Sequence, residues 1–365
     1  MRVRPEISAL PPYRPGGDTG PLHSADDPPL ARLDNNEAPW PPFPEALAAI
    51  ERAAHELNRY PDISCRPILE ALSQCHGVPA DRIVVGSGSV SLIRLLALVL
   101  LSPGDEVVVT APPYPAYGVA GALMGALVRL VPARDGAPDL PAMLGEVSAR
   151  TRIVFVASPH NPTGGIVTRR AMHDYLARVP DHVVTVLDQA YIEYSTDPEA
   201  ADGRQHLDAG KPLAVLRTFS KVYGLAGLRV GYAFATPDVR EPLDRARENF
   251  PLSSPGQAAA VASLARQDVV RQRSQATAAE RARLRVLLDG LGIGYTPSEA
   301  NFLFVELRRD ADRVCALLRR RGVLVRSGRV HGTPTWIRVT IGQPEDTRRF
   351  VDALKEALRE VPEGS

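Results

Sequence analysis

The sequence predicts an α/β protein: a mainly parallel sheet with helices on both faces, followed by a smaller α+β domain. Two observations carry this. Between residues 82 and 234, six short runs rich in Val and Ile alternate with stretches of helical period, the pattern of a sheet buried on both faces whose crossovers are helices. After about residue 256, a long Ala/Arg/Leu-rich helical stretch gives way to three further strand-like runs separated by helical segments.

The elements follow in order. Residues 1–44 hold many of the 34 prolines and show little periodicity, so an extended arm is expected there, lying over a partner surface and joining the small domain. Residues 45–245 are expected to form the large domain. Its strands are expected in RIVVGSG (82–88), EVVVTAP (106–112), RIVFVAS (152–158), VVTVLD (183–188), LAVLRTF (213–219) and LRVGYAF (228–234). Residues 246–365 are expected to form the small domain, with a helix over about 256–291 and strands near 302–306, 323–326 and 336–341.

Composition narrows the function. A chain of 365 residues with 44% hydrophobic and 23% charged residues and a net charge of +1 is neither disordered nor a general nucleic-acid binder, so small-molecule partners are expected. Cys65, Cys75 and Cys315 are odd in number and widely spaced, which argues against a disulfide framework and against a metal site. The N-terminus is polar and Pro-rich, and the most apolar run, VSLIRLLALVLL, is short and broken by Arg94. A cytoplasmic protein without a membrane span is therefore expected.

Chemistry is expected at the carboxyl ends of the strands, where loops lead into helix N-termini. GSGSVSL (86–92) follows one strand and opens an apolar helix. Its backbone N–H groups could cradle a phosphate, although such turns also cap helices through the serine side chain. The third glycine of a dinucleotide fingerprint and the GK[ST] ending of a P-loop are both missing. SPHNPTGG (158–165) has the composition of a tight loop, and LDQAYIEY (187–194) ends a strand in Asp188. RTFSKVYGLAGLRVGY (217–232) holds Lys221, one of three lysines among 43 Lys+Arg. A lysine can lose its proton and attack a carbonyl to form a Schiff base, whereas arginine cannot.

Taken together, GSGS, PPYPAY, NPTG, DQAY and TFSK followed by Arg229 resemble the fold-type I pyridoxal-phosphate enzymes of the class I/II aminotransferase group, whose large domain is aspartate aminotransferase-like. LPPYRPG, LDNNEAP and NRYPD are similar to segments of the branch that holds histidinol-phosphate aminotransferases and their aromatic amino acid relatives. The resemblance spans residues 1 to about 345 and implies a transaminase of amino-acid biosynthesis that uses pyridoxal 5'-phosphate.

It also implies roles. Lys221 is the Schiff-base lysine and the general base, and Asp188 pairs with the pyridine nitrogen. Tyr191 and Asn161 hydrogen-bond the cofactor's 3'-oxygen, and Tyr114 stacks on its ring. The backbone N–H groups of Ser89 and Val90, the Thr218 and Ser220 hydroxyls and Arg229 hold its phosphate. Tyr60 reaches that phosphate from a second subunit, which implies a homodimer with shared active sites. For the substrate, Arg338 forms the carboxylate fork, Asn161 assists, and Arg326 with Tyr13 binds a distal phosphate.

The chain departs from the pattern at three places. Histidinol-phosphate enzymes usually carry an acidic pair where this chain has Val90 and Ser91, a variant similar to the aromatic relatives. The segment 251–264 mixes features of both subgroups, and Gln189 replaces the usual glutamate of DEAY. Histidinol phosphate, an aromatic amino acid and a substrate of specialised metabolism therefore remain open as amino donors, with a 2-oxo acid such as 2-oxoglutarate as acceptor. A decarboxylase or lyase of the threonine-phosphate decarboxylase type also resembles this branch, because fold alone does not separate the reactions. A non-catalytic binding protein is opposed by the presence of Lys221, Asp188 and Arg338 together.

Overall fold

The structure, a computed structural model, describes residues 3–8, 10 and 30–364. Its strands in chain order are β1 (Ala31–Leu33), β2 (Ile83–Gly86), β3 (Glu106–Ala111), β4 (Leu127–Pro132), β5 (Thr151–Ala157), β6 (Val184–Asp188), β7 (Leu213–Thr218), β8 (Gly231–Ala235), β9 (Gly294–Tyr295), β10 (Phe302–Glu306), β11 (Val323–Ser327) and β12 (Trp336–Thr340).

A seven-stranded sheet runs in the order β2-β8-β7-β6-β5-β3-β4, and β8 is antiparallel to both its neighbours. The unbroken apolar runs have a simple cause. In β5, Ile153 and Phe155 enter the core on one face of the sheet while Val154 and Val156 enter the core on the other. Both faces are covered by helices, so neither set of side chains meets water.

The second sheet runs β1-β11-β12-β10-β9. Ala31–Leu33 pairs in parallel with Val323–Val325, so a segment from near the N-terminus completes a sheet made otherwise of C-terminal strands. A third core of residues such as Leu303, Val325, Ile337 and Phe350 packs beneath it.

The sequence reading missed three strands. β4 is an edge strand with Leu127, Val128, Arg129 and Leu130 all exposed, so it lacks the buried pattern of its neighbours. β1 and β9 are only three and two residues long. The helix expected over 256–291 is two helices, Ser254–Leu264 and Gln267–Asp289. LRVGYAF becomes a strand only from Gly231, because Ala226–Leu228 is a 3-10 turn and Arg229 takes a left-handed φ of 55°. Cys65, Cys75 and Cys315 are free thiols.

Strand order places the site. It reverses between β3 and β5, so the loops after these strands diverge and leave a crevice at the carboxyl edge. The antiparallel β8 begins at that same edge, with Gly231 in register with both Gly86 and Thr218.

Candidate active site

The crevice holds a cavity of about 180 Å3 lined by residues from each of the four strand-end loops singled out above. Ser89 and Val90 come from the turn after β2, Tyr114 and Tyr117 from the segment after β3, and Asn161 from the loop after β5. Asp188 and Tyr191 come from β6 and its exit, Thr218, Ser220 and Lys221 from β7 and its exit, and Arg229 from the approach to β8.

Asp188 is the last residue of β6, and each of its carboxylate oxygens accepts one hydrogen bond. Ala190 N donates to Oδ1 at 3.0 Å, and the Tyr117 hydroxyl donates to Oδ2 at 2.8 Å. Burial pushes the carboxyl's pKa up, opposed by these two hydrogen bonds and by the Lys221 charge. Tyr117 itself is buried, is held well above the usual phenol range by burial and by the Asp188 charge, and stacks on Phe155 at 4.6 Å. Tyr114 meets it edge-on at 5.4 Å.

Lys221 Nζ donates to the carbonyls of Asn35 and Asn36, each at 3.1 Å, and lies 5.4 Å from the Tyr191 ring centre. The Tyr191 hydroxyl accepts from Asn36 Nδ2 at 3.0 Å. Asn36 adopts a left-handed φ of 55°, a conformation asparagine tolerates better than most residues, and Thr340 holds it by bonding both its N–H and its Oδ1. The segment 34–36 thus crosses between the two sheets and carries groups to the lysine.

At the other end, no side chain caps the helix Ser89–Leu100, so its first N–H groups remain available to an anion. Beside it, Thr218 Oγ1 donates to Ser220 Oγ at 3.0 Å, and Arg229 Nη1 donates to Ser220 Oγ at 3.3 Å and to Ala226 O at 3.0 Å. Glycine is required where these parts meet. A Cβ on Gly231 would lie 2.5 Å from Ser89 N, and one on Gly88 would run into the Arg229 guanidinium. One cation, two hydroxyls and a bare helix N-terminus form a donor set that fits a phosphate monoester.

A second chamber of about 500 Å3 adjoins the first and is lined by Arg326 and Arg338 of the small sheet and by loop and helix residues of the large domain. Arg338 on β12 is buried there, donating to Asn161 Oδ1 and to Asp34 O, both at 2.7 Å, while its Nε has no hydrogen-bond partner. Arg326 on β11 is its register partner across the antiparallel pair. The His331 ring bonds Pro113 O through Nδ1 at 2.9 Å, and burial lowers its pKa to about 4.

One of the residues named from the sequence lies elsewhere. Tyr60 is 82% exposed, stacks on Phe250 at 4.6 Å, and lines neither chamber. Tyr13 lies outside the described residues. Conversely, Tyr117, Asn35, Asn36 and His331 went unassigned in the sequence reading. PPYPAY and LDNNEAP contain three of them, but no local pattern shows that Tyr117 meets Asp188 or that Asn36 meets Tyr191.

The substitution at Gln189 has a structural reason. Its Nε2 donates to Ala201 O at 2.6 Å, while Oε1 accepts from Gly203 N at 3.1 Å and from Arg217 Nη2 at 3.3 Å. A carboxylate could make the second and third bonds but not the first. The buried Arg217 finds its negative partners in Asp202 at 3.2 Å and Glu193 at 3.7 Å.

Comparison with known proteins agrees with this geometry. The family model for aminotransferase class I and II matches residues 28–354. The chain is 38% identical over 361 residues to a histidinol-phosphate aminotransferase of Moorella thermoacetica, covering 98% of this chain and 93% of that protein. It is 39% identical over 359 residues to histidinol-phosphate aminotransferase 2 of Pseudomonas fluorescens strain Pf0-1, covering 98% and 97%. Among solved structures, the histidinol-phosphate aminotransferase of Sinorhizobium meliloti in complex with pyridoxal-5'-phosphate superposes with a TM-score of 0.87 at 28% identity, with 98% of each chain covered. Aspartate aminotransferase of Thermus thermophilus shares the fold, with a TM-score of 0.80 at 22% identity over 90% of this chain and 92% of that one. With nearly the whole chain matched and a lysine, an acid and an anion cradle converging on one cavity, this protein belongs to the class I and II aminotransferases.

Proposed function

We propose that this aminotransferase binds pyridoxal 5'-phosphate in the smaller cavity and transfers an amino group from histidinol phosphate to a 2-oxo acid such as 2-oxoglutarate. The observation that carries this reading is the placing of Lys221 and Asp188 in the same cavity as the Thr218–Ser220–Arg229 donor set. When bound, the cofactor supplies a protonated pyridine ring that accepts electrons from the reacting carbon. Asp188 Oδ would hold the proton on the ring nitrogen, and its own hydrogen bonds from Tyr117 and Ala190 fix the carboxylate's orientation.

The Lys221 amine is the nucleophile and afterwards the base that moves the substrate's Cα proton. Tyr191 and Asn161 would hydrogen-bond the ring hydroxyl, and Tyr114 would cover the ring face. Ser89, Val90, Thr218, Ser220 and Arg229 take the cofactor phosphate. Arg338, with Asn161, grips the carboxylate of the 2-oxo acid and its amino acid, and Arg326 with Tyr13 takes the substrate phosphate.

In this reading the enzyme is a cytoplasmic homodimer, and Tyr60 completes the phosphate site of the other subunit. Its exposure beside Leu57 and Ile63, 61% and 46% exposed, suits a surface covered by a second copy. No described helix is long and apolar enough to cross a membrane. The same reading divides the chain into an arm (1–44), a cofactor domain (45–245) and a small domain (246–365).

A single-turnover panel tests this. The cofactor-loaded enzyme is mixed with glutamate, histidinol phosphate, phenylalanine, tyrosine or threonine phosphate, and the pyridoxal spectrum is followed. Bleaching by histidinol phosphate and glutamate is expected. Carbon dioxide release from threonine phosphate would instead make the enzyme a decarboxylase.

A further inference from the structure

Tyr191 lines both chambers, and its hydroxyl has a proton that no protein group takes. The oxygen accepts from Asn36 Nδ2 at 3.0 Å and donates to nothing among the described residues. A phenol has one proton to give. Because the amide supplies the incoming bond, that proton is left for a ligand.

What decides this is which end of the Asn36 amide faces the tyrosine. An asparagine side chain presents a donor at one end and an acceptor at the other. Reversed, Asn36 would offer Oδ1 to Tyr191 and take the hydroxyl proton itself. Thr340 on β12 holds the far end. Its Oγ1 accepts from Asn36 N at 3.0 Å and gives its own proton to Asn36 Oδ1 at 3.1 Å, which turns Nδ2 toward Tyr191. The Asn36 carbonyl is fixed as well, by Asn301 Nδ2 at 3.2 Å and by Lys221 Nζ. Thr340, Asn36 and Tyr191 are all buried, so their polar atoms are satisfied by one another rather than by bulk water.

We propose that Asn36 is a positioning residue, oriented by Thr340, whose amide keeps the Tyr191 proton directed at the ring oxygen of bound pyridoxal phosphate. The three groups form a one-way chain of donors: Thr340 gives to Asn36, Asn36 gives to Tyr191, and Tyr191 gives to the cofactor. An aspartate at position 36 has no donor for the second bond, and a valine at position 340 has none for the first. Residues 338 and 340 alternate to the same face of β12, so the strand that brings Arg338 to the second chamber also brings the start of this chain. The proposal rests on the reading of Tyr191 as a donor to the ring oxygen.

The test is an absorbance titration of the cofactor-loaded enzyme without substrate, which reads the pH midpoint of its visible band. A donor at the ring oxygen competes with the chromophore's own titrating proton for that oxygen, so it lowers the midpoint. Tyr191→Phe is expected to raise it by about 1–2 pH units, the worth of a hydrogen bond to a charged group. Thr340→Val should raise it by about half a unit or more, and Asn36→Ala should move it the same way. Thr340→Ser, which keeps the hydroxyl, should restore the wild-type midpoint. Asp188, Lys221, Arg229, and the arginines and His331 of the second chamber are the same in every variant, so the shift reports the hydroxyl. In a Tyr191→Phe background, Thr340→Val should add nothing, which separates the chain of donors from a general loosening of the site. Wild-type midpoints in Thr340→Val and Asn36→Ala, or full additivity with Tyr191→Phe, overturn the proposal and leave the role of Tyr191 standing. If Tyr191→Phe itself titrates as wild type does, that role falls and takes this proposal with it.

Discussion

The Tyr117 hydroxyl donates to Asp188 Oδ2 at 2.8 Å inside the core, joining the helix after β3 to the end of β6. That bond lowers the pKa of a carboxyl that burial raises, so it favours the ionised form that the role proposed for Asp188 at the ring nitrogen would need. Tyr117→Phe is expected to lower half-reaction rates about tenfold to a hundredfold, from the loss of a hydrogen bond to a charged group of about 1.5–3 kcal/mol. Cofactor affinity, followed by tyrosine fluorescence or absorbance titration, should change far less. Asp188→Asn should cost more than Tyr117→Phe, and equal rates in wild type and Tyr117→Phe would remove the bond from the mechanism.

Lys221→Ala and Lys221→Arg should both lose the borohydride-reducible link between protein and pyridoxal phosphate, read as a mass increment on the peptide containing residue 221. Guanidinium stays protonated at neutral pH and cannot attack the carbonyl. A mass increment on another lysine, Lys211 or Lys355, would move the nucleophile.

Gln189→Glu restores the residue usual in related enzymes but should destabilise this one. The lost donor leaves Ala201 O facing a carboxylate in place of the amide that bonds it at 2.6 Å, at a cost of about 1–3 kcal/mol. Urea denaturation should show the midpoint falling. A midpoint at or above that of wild type would mean that Arg217 prefers a third acid to the Asp202 and Glu193 pair it has.

Stability should fall steadily on acidification below neutrality. Burial holds His76 and His160 down to about 3 and His331 down to about 4, against 6.5 for an unfolded histidine. Between these values the unfolded chain binds protons that the folded one refuses, so each histidine removes up to about 1.4 kcal/mol of stability per pH unit as pH falls. Glu106 adds to this lower down. Hydrogen bonds from Arg129 and Ser148 hold its carboxyl at about 2 against an ordinary 4.5, so its contribution is complete above 4.5 and is lost as pH falls through about 2. Thermal melts from pH 7.5 to 4 should show Tm dropping throughout, with a shallower slope in His76→Gln. A slope in His76→Gln equal to that of wild type would contradict the burial of the His76 ring.

Much of this was legible in the sequence because it is local. A run such as RIVFVAS is apolar at successive positions only when both sheet faces are covered, so it announces a central strand regardless of its neighbours. The edge strand β4 gives no such signal, since LVRLVP exposes most of its side chains and is a strand by virtue of pairing with β3. The break between the helices ending at Leu264 and starting at Gln267 is equally hidden in a composition that favours helix throughout.

The same division runs through the active site. By itself the sequence determined the residues whose chemistry is carried within one turn or one strand end: Lys221 among arginines, Asp188 closing β6, and the Gly/Ser turn before the helix at Ser89. Only the tertiary structure decided which side chains meet these groups from a distance. Tyr117 reaches Asp188 across 71 positions, Lys221 bonds carbonyls 186 and 185 positions away, and Arg338 bonds Asp34 O across 304. The physical reason is that backbone preference and hydrophobic period act over a few residues, whereas a hydrogen bond or a shared chamber depends on where the packed sheets bring separate segments together.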